Sequence, residues 1–201
     1  MSEVVGKIEK PPAGKFKAGR KLFFIPLIYS GKEAQDDYLE KFNRYWNQVE
    51  RQTSKLELRL GRVNKIYHEL ISVSGDDGVK VIKDLNDKSY QIVKSKLKKG
   101  AQLEAIEDRE LLTEFMDWSR CLAVGLQNQK VFTQVYQYYN EANKKRNEYL
   151  AKRIDETLSL DETGLLFMME GHQIQFPSDI QVFYVAPPAL DEIKRWFRDR
   201  G

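Results

Sequence analysis

The sequence predicts an α/β fold: a single domain with a mainly parallel sheet of four or five strands, flanked by long helices. Three observations predict it. Short apolar runs recur at wide intervals, at residues 22–29, 62–68, 165–169 and 180–185. The longer stretches between them place apolar residues every three or four positions. Strand and helix patterns also alternate along the chain, the order that crossover connections between parallel strands require. A length of 201 residues suits one core.

Residues 1–20 are rich in Lys, Gly and Pro without periodicity and read as a flexible basic arm, leaving 21–201 as the domain. The run LFFIPLIY at 22–29 reads as a strand buried on both faces. Pro26 inside it argues for an edge or bulged position, because proline cannot donate to a ladder. Over 33–58 the positions Tyr38, Phe42, Tyr45/Trp46 and Val49 keep helical spacing, and Gly61 stops the helix. Residues 62–68 form a second strand. Ser74-Gly75-Asp76-Asp77-Gly78 is a turn that can cap a following helix, whose stripe Val79, Ile82, Leu85, Tyr90, Val93 and Leu97 runs to Gly100.

Residues 101–106 fit a short third strand, although Glu and Ala are poor strand formers and the segment is equally compatible with a helix. Residues 111–126 read as a helix with a broad apolar face, with Cys121 as a buried member of it. A long helix follows over 131–158. Gly164 opens the strand at 165–169, Pro177-Ser178-Asp179 makes a turn, and 180–185 is another strand. Pro187-Pro188 leads into a last helix over 190–198, with Asp191 and Glu192 near its positive end.

Hydrophobic content of 41% and charged content of 31% are those of a soluble globular protein. A net charge of +3, much of it from the arm, provides no basic field for nucleic acid. The single cysteine excludes an internal disulfide and a thiolate metal set. No run approaches the ~20 apolar residues of a membrane span, and the first residues lack a signal peptide's apolar core, so cytoplasm is the expected location. There is no glycine-rich phosphate loop and no nucleophile elbow.

The only two histidines each stand beside a glutamate at the end of a strand-like run: His68 with Glu69, and His172 with Glu170. In a parallel sheet, residues just past the strand ends share the crevice where ligands bind. Tyr29, His68, Glu69, Glu107, Asp108, Glu170 and His172 could therefore meet on one rim. Imidazole and carboxylate donors suit a divalent transition metal, the candidate cofactor, with His68, Glu69, Glu170 and His172 as ligands. Glu107 or Asp108 would then act as base on a metal-bound water. Arg146 and Asn147 could hold an anionic ligand.

The stretch RNEYLAKRIDETLSLDETGLLFMMEGH at 146–172 resembles the carboxyl part of the TraB/ChaN/Tiki group, a superfamily that includes erythromycin-esterase-like proteins. Arg146-Asn147, Ala151, Ile154 and Leu158 match its Arg-Asn helix, His172 its second Gly-x-x-His, and His68 its first. Glu104, Glu107 or Asp108 would be the intermediate acid. Both motif glycines are replaced, by Lys65 and Met169, and residues 22–60 have no counterpart. The resemblance implies an α/β fold and, in some members, metal-dependent hydrolysis, with haem binding in one branch.

Three functional readings follow. The first is a metal-assisted hydrolase, or an inactive relative, acting on a small-molecule or peptide ligand; it expects a shared crevice. The second is a non-catalytic binding or regulatory protein with a helical face for a partner or for self-association into a homo-oligomer. It expects scattered histidines and an apolar surface strip on the Phe42/Trp46 or Tyr138 helix. The third is a nucleic-acid binder using the arm.

Overall fold

A computed structural model describes residues 18–31 and 33–200. Among the described residues five strands form one all-parallel sheet in the order β3-β2-β4-β1-β5. In chain order the elements are β1 (Lys21–Pro26), α1 (Asp36–Leu60), β2 (Lys65–His68), α2 (Gly75–Leu85), α3 (Asp87–Leu97), β3 (Gln102–Glu104), α4 (Arg109–Ala123), α5 (Gln129–Thr157), β4 (Thr163–Met168), β5 (Gln181–Tyr184) and α6 (Pro188–Arg198). The α/β class, the parallel sheet and the flanking helices are those the sequence predicts.

Every residue of β1 and β4 is buried. Alternation sends Phe23, Ile25, Leu165 and Phe167 to one face, where they pack with Tyr38, Phe42 and Trp46 of α1 and with α3 and α6. Leu22, Phe24, Leu166 and Met168 meet Leu150 and Ile154 of α5 on the other. Gly164 permits this layer: a Cβ there would lie 2.8 Å from Leu22 Cδ1 and 2.9 Å from Tyr67 Cε2. Gly61, at φ 115°, ends α1 as expected.

Four expectations are corrected. Pro26 does not mark an edge: β1 lies between β4 and β5, and Pro26 is its last residue, after which Leu27 N–H donates to the Met168 carbonyl. The stripe ending at Gly100 is two helices. Asn86 interrupts it, accepting from Ser89 N–H at the start of α3 and donating from Nδ2 to the Ile28 carbonyl. Cys121 is exposed, because α4 packs chiefly on α5 and only its Leu112 is buried. The Phe42/Trp46 face of α1 is core, so it offers no surface strip.

Residues 1–17 of the expected arm lie outside the described residues. Arg20 belongs to the folded body, donating from Nε and Nη2 to Asp179 at 2.7 Å and pairing with Asp155. Among the described residues no helix is long and apolar enough to cross a membrane.

Candidate functional site at the carboxyl edge of the sheet

The helices following β1 and β2 cover one face of the sheet, whereas α5, which follows β3, covers the other. Beside β4 the connections therefore diverge to opposite faces, the place where open α/β sheets form a crevice. Here an ion cluster fills it. Arg146, midway along α5, donates from Nε to Glu107 Oε2 at 2.9 Å and from Nη2 to Glu69 Oε1 at 3.1 Å; a further bond runs from Nη2 to Glu107 Oε1. Side-chain exposures are 5% for Arg146, 6% for Glu69 and 0% for Glu107.

The carboxylates also serve the backbone. Glu107 Oε1 accepts from Leu70 N–H at 3.1 Å and Glu69 Oε2 from Met169 N–H at 2.8 Å. Leu70 has φ 69°, a left-handed conformation that costs a leucine of order 1 kcal/mol. The turn after β2 thus depends on Glu107. Burial raises the Glu69 carboxyl above its ordinary range despite the pull of Arg146. For Arg146 burial works downward, but Glu107 and Glu69 outweigh it and the guanidinium is more firmly protonated than usual. The Tyr29 hydroxyl is pushed up by burial and by the Glu69 charge, and finds no hydrogen-bond partner among the described residues.

The histidines do not meet. His68 is fully buried on the α1/α3 face, its ring 5.5 Å from that of Phe167. Its Nδ1 lies 2.8 Å from the Glu69 carbonyl and its Nε2 3.0 Å from Ser89 Oγ. Burial lowers its pKa to about 4, so it is neutral at pH 7. His172 lies on the opposite face, with its ring 4.8 Å from that of Phe24 and its Nδ1 accepting from Ile174 N–H. The shared crevice expected for the two is therefore corrected: β4 separates their faces.

Glu170 is drawn outward by Lys194 at 2.7 Å and by the Tyr184 hydroxyl. Asp108 caps α4, accepting from Glu110 and Leu111 N–H at 2.9 and 3.0 Å. Asn147, buried beside Arg146, bonds to Asn143 and borders an open cleft of about 930 Å³ between α5 and residues 173–175.

The donor set does not fit a metal. Both His68 nitrogens are engaged, Glu69 and Glu107 turn their oxygens to Arg146, and His172 is on the other face. Among the described residues no group of three or more His, Cys, Asp or Glu side chains is placed to hold an ion. What the structure brings together is Glu69, Glu107 and Arg146. Ser89 and Leu70 complete the surroundings and were not legible, since neither carries a sequence signal for its role.

The cluster continues outward through aromatic rings. The Arg146 guanidinium lies 4.8 Å over Phe115 of α4, Phe115 is 5.4 Å from Tyr139, Tyr139 is 6.4 Å from Tyr136, and Tyr136 stacks on Phe132 at 5.9 Å. This ladder leads away from the sheet. Helix α5 is 29 residues long, about 43 Å at 1.5 Å per residue, and its buried residues all lie from Ala142 onward. Its first half and α4 form a hairpin that overhangs the domain.

No protein-family model matches this chain, and neither a curated protein nor a solved structure matches it.

Proposed function

We propose that the chain is a non-catalytic α/β binding protein whose sheet domain holds out the α4–α5 hairpin as an interaction element. One observation carries the reading: among the described residues Phe132, Tyr136 and Tyr138 stand 39%, 49% and 40% exposed on the overhanging end of the hairpin. Aromatic side chains left in water on an ordered helix are the usual mark of a contact surface. The ion cluster fits a positioning role, because it ties the middle of α5 to the ends of β2 and β3 where a catalytic crevice would otherwise open. The Tyr138 strip and the separated histidines agree with the binding reading, whereas a metal-assisted hydrolase needs donors that converge.

A photo-reactive p-benzoylphenylalanine in place of Tyr136 tests this in an extract of the source cells. A discrete covalent adduct formed through the hairpin is expected, and absence of any adduct there and at Phe132 would refute the reading.

A further inference from the structure

The twenty residues from Cys121 to Asn140 contain one charge, Lys130, in a chain that is 31% charged. They form the end of α4, the connecting turn and the overhanging half of α5. Solvated helices normally carry several charges, so a single one over so long an exposed stretch needs a cause. The uncharged polar side chains here include four glutamines (Gln127, Gln129, Gln134 and Gln137), two asparagines (Asn128 and Asn140) and Thr133, beside the exposed Val124, Val131, Phe132, Tyr136 and Tyr138.

We infer that this hairpin end pairs with the same hairpin of a second copy, closing an antiparallel four-helix bundle. The inference rests on the binding reading above and names its partner. In a two-fold interface a surface meets itself, so residues near the axis face their own copies. Like charges there would repel. Amides and tyrosine hydroxyls both donate and accept, and so can pair with themselves. The same composition is poor for other partners: a single lysine provides little grip on phosphate backbones or anionic lipid. A four-helix bundle is the ordinary way for a two-helix hairpin to cover its apolar stripe.

Sedimentation equilibrium of the full chain, beside a Phe132→Glu/Tyr136→Glu double variant, tests it. Both side chains are substantially exposed, so the variant keeps its fold, which circular dichroism and a thermal melt verify. The expected result is a wild-type dimer whose dissociation constant rises at least ~30-fold in the variant, the effect of losing one aromatic hot spot. A nitroxide on Cys121 of the wild type supplies an independent readout: dipolar broadening within the dimer that vanishes in the variant background. A wild-type chain that is monomeric at every concentration, or a dimer that persists unchanged in the variant, would overturn self-pairing. Monomers that bind neutral phosphatidylcholine vesicles would overturn it in favour of a membrane surface. If the Tyr136 adduct in extract contains a different protein while the pure chain is monomeric, self-pairing fails and the hairpin reading stands. No adduct of any kind removes both.

Discussion

Replacing Arg146 with methionine would leave two carboxylates facing each other in the interior. Among the described residues Arg146 is the cation that pairs with Glu69 and Glu107, and all three side chains are at most 6% exposed. Removing one partner of such a buried set costs about 3–5 kcal/mol, most of it from the charges left behind rather than from the bonds lost. For a chain of this size that is a fall in melting temperature of roughly 10 °C. The measurement is urea and thermal unfolding of wild type and Arg146→Met between pH 5 and 8. The sign of the pH dependence is itself a prediction. Burial already raises the Glu69 carboxyl and Arg146 holds it down, so without the guanidinium Glu69 binds a proton more readily in the native state, and the deficit should be largest at pH 8 and shrink toward pH 5. Adding Glu69→Gln and Glu107→Gln to Arg146→Met should recover much of the loss, since no unpaired charge then remains. A single variant within 1 kcal/mol of wild type at pH 8, or a deficit that grows on acidification, would refute the account of the cluster as a mutually compensated charge set.

Three further outcomes are expected. His68 has its pKa depressed to about 4, so between pH 6.5 and 4 the unfolded chain binds a proton that the native state excludes, and stability falls with acidification by up to about 3 kcal/mol. Glu69, raised by burial, acts in the opposite sense, so the histidine contribution is read as the difference between wild type and His68→Gln across that window; a difference independent of pH would contradict it. Cys121 is exposed and should react with one equivalent of Ellman's reagent in the native state without denaturant, whereas a thiol that appears only on unfolding would contradict the position of α4. Protein purified without chelator should hold no stoichiometric transition metal and take none up on titration; one equivalent, lost in a folded His68→Ala/His172→Ala variant, would restore the hydrolase reading.

Where the sequence and structure agree, the physics is local. Apolar runs at 22–29 and 165–169 must be buried on both faces wherever they fall in the sheet, so strands were legible there. Gly61 ends α1 because of its own backbone freedom. Asn86, by contrast, breaks a helix whose apolar spacing continues almost unchanged across it. Its effect depends on reaching both Ser89 N–H and the Ile28 carbonyl, and Ile28 is distant in sequence.

By itself the sequence determined the class of the fold, the approximate strands and helices, and the acidic residues that stand just past the ends of β2 and β3. The tertiary structure alone decided which of those residues meet. His68 and His172 look equivalent in the chain, each beside a glutamate after an apolar run. His68 lies within β2, where the two-residue repeat and the pairing with Phe167 on β4 direct its ring to the α1/α3 face. His172 lies past the end of β4, where the chain has turned to the α5 face, and no local rule announces that turn. The same holds for the hairpin: an amphipathic pattern specifies that a helix has an apolar face, but whether the chain's own sheet covers it depends on how far the helix extends beyond that sheet.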